Sequence, residues 1–297
     1  MGAVREGSPR KGDDMKKKIM IGVSILVFLL ALVGTLYPVI SDYWNTRHQS
    51  EVQVEYEKQM ESMEDSELTA ALEAANAYNA ALRPVRYTKA ALDAAAVGYD
   101  HLLNLYGNGI MAYVEIPKIH VNLPIYHGTT TEVLEKGIGH LTGSSLPIGG
   151  VDNHAVLTGH SGVAGQRLFS DLDRLEIGDV FFIRVLNQQL AYEVRAIDTV
   201  LPEDTKLLTS VDGKDKCTLV TCTPFGVNTH RLLVQGERVE YEAAEEIAAQ
   251  TESVQVGSTW ETEYVMGLKL GAEILGFLVV VVLAVIGIRK MRRHGHD

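Results

Sequence analysis

The chain has 297 residues, a formal net charge of −11 and 46% hydrophobic residues, which suits one catalytic domain plus accessory segments. Between Ser41 and Gly267 there are 33 Asp plus Glu against 16 Lys plus Arg. That balance excludes nucleic-acid binding through a basic surface; it fits basic or amine-bearing partners, or simply solubility.

Residues 1–18 read as a polar cytoplasmic tail, with Met15 before Lys16, Lys17 and Lys18 resembling a start. Residues 19–40 form an uncharged apolar run long enough to cross a ~30 Å hydrocarbon core. The run ends in Tyr37-Pro38-Val39-Ile40 without a small-residue cleavage site, so it reads as a retained anchor. Residues 41–109 are expected to be an extracellular helical region. The stretch from Ser41 to Leu82 lacks Gly and Pro, and Tyr56, Met60 and Met63 give an i, i+4, i+7 packing stripe. Arg83-Pro84-Val85-Arg86-Tyr87 breaks that helix.

From 110 to 240 the texture changes to short β-rich runs separated by Gly, Pro, Asn and Asp clusters. The runs are Met111–Ile116, Leu123–Tyr126, His154–Leu157, Val180–Val185, Ala191–Ile197, Lys216–Cys222 and Arg231–Val239. Seven or eight such strands predict a mainly β domain, a closed barrel or a sandwich. Residues 241–264 read as an acidic tether. Residues 265–288 form a second apolar run in which Lys269 and Glu273, one turn apart, can pair and snorkel. The basic tail 289–297 then marks a cytoplasmic end. The expected topology is two-pass, with both termini cytoplasmic and the β domain extracellular.

The chemistry concentrates around Thr218-Leu219-Val220-Thr221-Cys222 and, nine residues on, Arg231. The link Thr223-Pro224-Phe225-Gly226-Val227-Asn228 carries turn residues, so a thiol ends one strand as a guanidinium begins the next. A fixed cation favours the thiolate, the nucleophilic form of cysteine. Arg231 also precedes an apolar run that has no structural use for a guanidinium, and it could stabilise an oxyanion. His160, in Gly159-His160-Ser161-Gly162, is the candidate proton carrier among ten histidines, narrowly ahead of His127. Cys217 lies five residues from Cys222, an odd offset that points the two to opposite faces of a strand. At about 16 Å of strand they cannot bridge. No zinc-type spacing and no calcium loop is present, so no metal or cofactor is expected.

These segments resemble the sortases, cysteine transpeptidases of Gram-positive cell surfaces. Met111-Ala112-Tyr113-Val114-Glu115-Ile116-Pro117-Lys118-Ile119, Leu123-Pro124-Ile125-Tyr126-His127-Gly128-Thr129, Ser144-Ser145-Leu146-Pro147 and the run Cys222 to Arg231 are similar to the class C, pilin-polymerising branch. The resemblance implies an eight-stranded closed β-barrel with N-terminal helices and two flanking transmembrane helices. It implies Cys222, His160 and Arg231 as catalytic residues acting on an LPXTG-like sorting signal, cleaved between Thr and Gly. The acceptor would be a lysine amine of the next pilin subunit; attachment to peptidoglycan is the alternative, and a catalytically silent surface scaffold a third. Thr221, His127 and Asn228 are candidates for substrate binding or for supporting the trio. Class C enzymes commonly carry an Asp-Pro-aromatic lid motif. Here the matching region reads Pro84-Val85-Arg86-Tyr87, so Arg86 and Tyr87 are the candidate lid contacts without the Asp-Pro pair.

Overall fold

The computed structural model describes residues 53–82, 98–161, 168–209 and 212–251, together with nine helical residues between 19 and 33. Among the described residues no helix is long and apolar enough to cross a membrane. The second apolar run, residues 265–288, and the candidate lid residues Arg86 and Tyr87 lie outside the described residues.

Helix α1 (residues 53–61) and helix α2 (Asp65–Leu82) precede eight strands. These are β1 (Ile110–Ile116), β2 (Val121–His127), β3 (Ile138–His140), β4 (His154–Thr158), β5 (Val180–Val185), β6 (Gln188–Val200), β7 (Lys216–Thr223) and β8 (His230–Val239). A one-turn helix, α3 (Thr131–Leu134), links β2 to β3. The strands close into a barrel in the order β1-β2-β3-β4-β7-β8-β6-β5. Closure leaves no free sheet edge. All pairs are antiparallel except β2–β3 and β4–β7.

Strand sequences explain the barrel. Val180-Phe181-Phe182-Ile183-Arg184-Val185 and Cys217-Thr218-Leu219-Val220-Thr221 are β-branched and aromatic runs that fill a pleated, two-sided surface. Their side chains alternate between two apolar groups. Ala155, Leu157, Cys217, Leu219, Leu232 and Val234 belong to the main core, whereas Val156, Val220 and Leu233 form a separate outer cluster with Leu208. Gly236 on β8 gives way to an aromatic ring inside: a Cβ there would lie 2.6 Å from Phe181.

The N-terminal helices cover the barrel. Tyr56 and Met60 are buried and Met63 is partly so, as the stripe predicted. The Tyr56 ring packs 5.2 Å from that of Tyr113, and its hydroxyl accepts from the Leu186 amide at 3.1 Å. Asn79 of α2 clamps the β3–β4 connection twice. Its carboxamide oxygen accepts from the Leu146 amide at 2.7 Å, and its nitrogen donates to the Leu146 carbonyl at 3.2 Å. Residues 242–251, which are helical, belong to a second unit.

One expected strand boundary set was incomplete. β3 was not among the seven runs read from sequence, because Ile138-Gly139-His140 is too short and too glycine-rich to show an alternating pattern.

Candidate active site

β7 lies between β4 and β8, so its side chains are flanked by one parallel and one antiparallel neighbour. Across the antiparallel pair, Cys222 is the register partner of Arg231. Directly opposed residues project to the same face with their Cβ atoms about 4.5–5.5 Å apart. That face is the outer one: Cys222 follows Val220, and Arg231 precedes Leu233, by one alternation. Cys222 is half-buried and its thiol free, while Cys217 is free and fully buried. Burial, with the Asp215 carboxylate nearby, pushes the Cys217 thiol well up. The two cysteines differ in burial because alternation sends one to the core and the other to the outer face.

His160 arrives from the other side. The β4–β7 pairing runs from His154↔Lys216 to Thr158↔Val220, so position 160 comes level with Cys222. Three hydrogen bonds keep the chain against β7 beyond the strand end. The Gly159 amide donates to the Val220 carbonyl at 3.0 Å. The Thr221 hydroxyl donates to the Gly159 carbonyl at 2.8 Å. The Ser161 hydroxyl donates to the Cys222 carbonyl at 2.7 Å. Beneath them Gly159 is glycine for want of room: a Cβ would meet Ile138 at 2.7 Å and Phe169 at 2.8 Å. His160 itself is half-buried, and its carbonyl accepts from the Phe169 amide at 3.1 Å.

The guanidinium of Arg231 is held by its own turn. Its Nη1 donates to the carbonyls of Asn228, at 3.2 Å, and His230, at 3.0 Å. Asn228 adopts a left-handed conformation at φ +61°, which asparagine tolerates better than most residues. No carboxylate among the described residues pairs with Arg231. A half-buried cysteine is therefore the register partner of an arginine that no carboxylate pairs among the described residues, and the segment carrying His160 runs alongside. Such an arrangement can stabilise a thiolate, supply a proton, and hold negative charge on an oxygen.

The other expected residues separate. Thr221 is buried and braces the chain before His160; Asn228 lends its carbonyl to Arg231. His127 stands apart, on β2, with β3 and β4 between it and β7. Its ring nitrogens meet the carbonyls of Leu102, at 2.7 Å, and Gly109, at 3.3 Å, and its ring packs edge-on against Tyr99. Sequence reasoning passed over Ser161, whose role depends on a parallel pairing with a segment sixty residues away. His140, which the sequence offers as a supporting or core group, and His154, at the start of the strand that leads to His160, are both fully buried with both ring nitrogens engaged. Among the described residues no cluster suited to a metal ion occurs.

Comparison with known proteins bears on the domain and its fold. A profile of the sortase domain matches residues 114–239. Sortase D of Bacillus subtilis is 34% identical over 129 residues, 42% of this chain and 62% of that protein. Sortase A of Streptococcus agalactiae is 30% identical over 43% of this chain and 52% of that protein. The chain thus spans less than two thirds of the length of these curated relatives. Solved structures match more fully. Sortase C1 of Streptococcus agalactiae is 43% identical, with a TM-score of 0.59, over 63% of this chain and 97% of that one. Streptococcus pneumoniae sortase C, whose structure is described as informing pilin substrate specificity, is 41% identical, with a TM-score of 0.59, over 64% and 97%. The eight-stranded closed barrel, the profile match and the near-complete coverage of class C structures together establish that the chain belongs to the sortase family of cysteine transpeptidases.

Proposed function

We propose that this chain is a membrane-anchored transpeptidase that joins pilin subunits, with Cys222 as nucleophile, His160 as proton carrier and Arg231 as oxyanion stabiliser. The register pairing of Cys222 with Arg231 carries this reading. The Cys222 thiolate attacks the Thr carbonyl carbon of an LPXTG-like signal, and the carbonyl electrons move onto oxygen beside the guanidinium. The Thr–Gly C–N bond then breaks as His160, an imidazolium, gives its proton to the departing glycine amine. A thioester to Cys222 remains. A lysine amine of the next pilin attacks it, loses its proton to the now neutral His160, and expels the thiolate, which restores the starting state. The class C likeness supports a pilin acceptor over a wall precursor.

The buried apolar cluster of Val156, Val220, Leu233 and Leu208 backs the strand face that carries Cys222 and keeps it firm. Anchoring through residues 19–40 and 265–288 would place the domain outside the cell, where both substrates are tethered to one surface and encounter each other more often. The test incubates the full chain in membrane vesicles with a sorting-signal peptide and with pilin, against Cys222→Ala. Pilin ladders lost in the variant support the reading. Transfer of peptide to a short glycine amine without ladders redirects it to wall attachment. Absence of any thioacyl adduct refutes it in favour of a surface scaffold.

A further inference from the structure

The connection between β6 and β7, described over residues 201–209 and 212–215, reaches the outer strand face on which Cys222 also lies. It contributes Leu208, which packs on Val156, Val220 and Leu233. Val220 and Leu233 lie one alternation below the Cys222–Arg231 pair, and Val156, level with Thr218, lies two. Leu208 is therefore the loop's anchor on the strand face that also carries the thiol. A short turn of helix, Lys206–Leu208, presents it. A fifteen-residue connection is longer than most links in compact domains and needs a fastening if it is to keep one position.

That fastening is His154, at the start of β4. It is fully buried, on the outer-face alternation with Val156. One ring nitrogen, Nδ1, lies 2.9 Å from the carbonyl of Thr209, the residue after Leu208. The other, Nε2, lies 2.7 Å from the Thr218 hydroxyl of β7. A carbonyl only accepts, so Nδ1 must carry the proton; in the neutral ring Nε2 then accepts from Thr218. Burial lowers the His154 pKa to about 4, with Lys216 adding to the effect, so the ring is neutral near pH 7. The backbone of His154 is fixed as well. Its amide donates to the Ser145 hydroxyl at 3.1 Å, and its carbonyl accepts from the Ser145 amide at 3.1 Å. The imidazole thus bridges a rigid strand pair to the carbonyl that follows Leu208.

We propose that His154 is a positioning residue that pins the β6–β7 connection at Thr209 and so holds Leu208 against the outer face, setting how tightly the peptide substrate binds beside Cys222. The proposal rests on the reading of Cys222 as the peptide-accepting thiol. It assigns to His154 no contact with substrate and no proton transfer.

The test uses the full chain in vesicles and three variants, reading kcat and KM for a sorting-signal peptide and amide hydrogen exchange across residues 201–209. His154→Leu removes both ring contacts. Its KM should rise about tenfold, the scale of one lost hydrogen bond and a stranded carbonyl, with kcat within about twofold. Exchange in residues 201–209 should quicken. His154→Asn, whose amide nitrogen can replace Nδ1 toward Thr209, should recover most of the KM and the protection. Thr218→Val, which strips the donor to Nε2 while leaving the Thr209 contact, should fall between. KM and exchange unchanged in His154→Leu would overturn the proposal, as would a fall in kcat alone or a failure of Asn to rescue. If the leucine variant does not fold, Thr218→Val against His154→Asn makes the same comparison. Wild-type chain that turns over no peptide counts against the transpeptidase reading instead. The exchange data then still decide whether His154 holds the loop.

Discussion

Adding one methyl group at Gly159 should impair the site without changing the identity of Cys222, His160 or Arg231. The new Cβ would stand 2.7 Å from Ile138 Cδ1 and 2.8 and 2.9 Å from Phe169 Cδ2 and Cγ. Carbon atoms prefer about 3.5–4.0 Å, so something must move by about 1 Å. The isoleucine tip can rotate. The Phe169 ring cannot, being fully buried in the core. The backbone at 159 is then the part that yields, against its bonds to Val220 and Thr221. Overpacking of this kind costs about 1–3 kcal/mol. His160 is the next residue, and a misplacement near 1 Å costs about a hundredfold in rate. Gly159→Ala should therefore lower kcat/KM on a sorting-signal peptide by about 30- to 100-fold, with a Tm reduced by several degrees. Gly159→Ala combined with Phe169→Leu should recover part of both losses. Activity within threefold of wild type at an unchanged Tm would refute the close packing of Gly159 as the device that places His160.

Three further outcomes are expected. A small thiol reagent should label one cysteine per native chain, mapped to Cys222 by mass spectrometry, and two after denaturation, because Cys217 is fully buried with its thiol pushed up in pKa. Asn79→Ala should destabilise the barrel by about 2–3 kcal/mol in denaturant titration, since it strands the buried Leu146 amide and carbonyl together. Burial lowers the pKa of His140 and of His154 to about 4 from 6.5. The unfolded chain therefore binds protons that the folded chain refuses between those values. The stability from neutral burial is complete above about pH 6.5 and is lost as the pH falls toward 4. The slope of folding free energy in that window should approach two protons, about 2.7 kcal/mol per pH unit at most, and His140→Gln should remove about half of it.

How much of this was open to a reader of the sequence depends on chain separation. The β7–β8 hairpin was legible because its parts are local. A β-branched run, a Pro/Gly/Asn turn and a second run bring Cys222 and Arg231 together within ten residues. The Tyr56, Met60 and Met63 stripe was equally plain, since helical period alone decides which face packs. β3 was not, because three residues with a central glycine carry no period. The histidines were harder still. His127 and His160 both sit beside glycines near the ends of β-rich runs, and nothing local separates them.

Residue order by itself determined the strand chemistry, the opposite fates of Cys217 and Cys222, and the facing of thiol by guanidinium. Each of these follows from alternation or from a short turn. Only the closed barrel decided that the segment carrying His160, and not the one carrying His127, runs alongside the Cys222 strand. Parallel pairing of β4 with β7 joins segments about sixty residues apart, and such pairing is set by global burial and closure rather than by any short-range preference. The same closure brings the His154 ring within hydrogen-bond distance of the Thr209 carbonyl in the β6–β7 connection, a contact no local pattern announces.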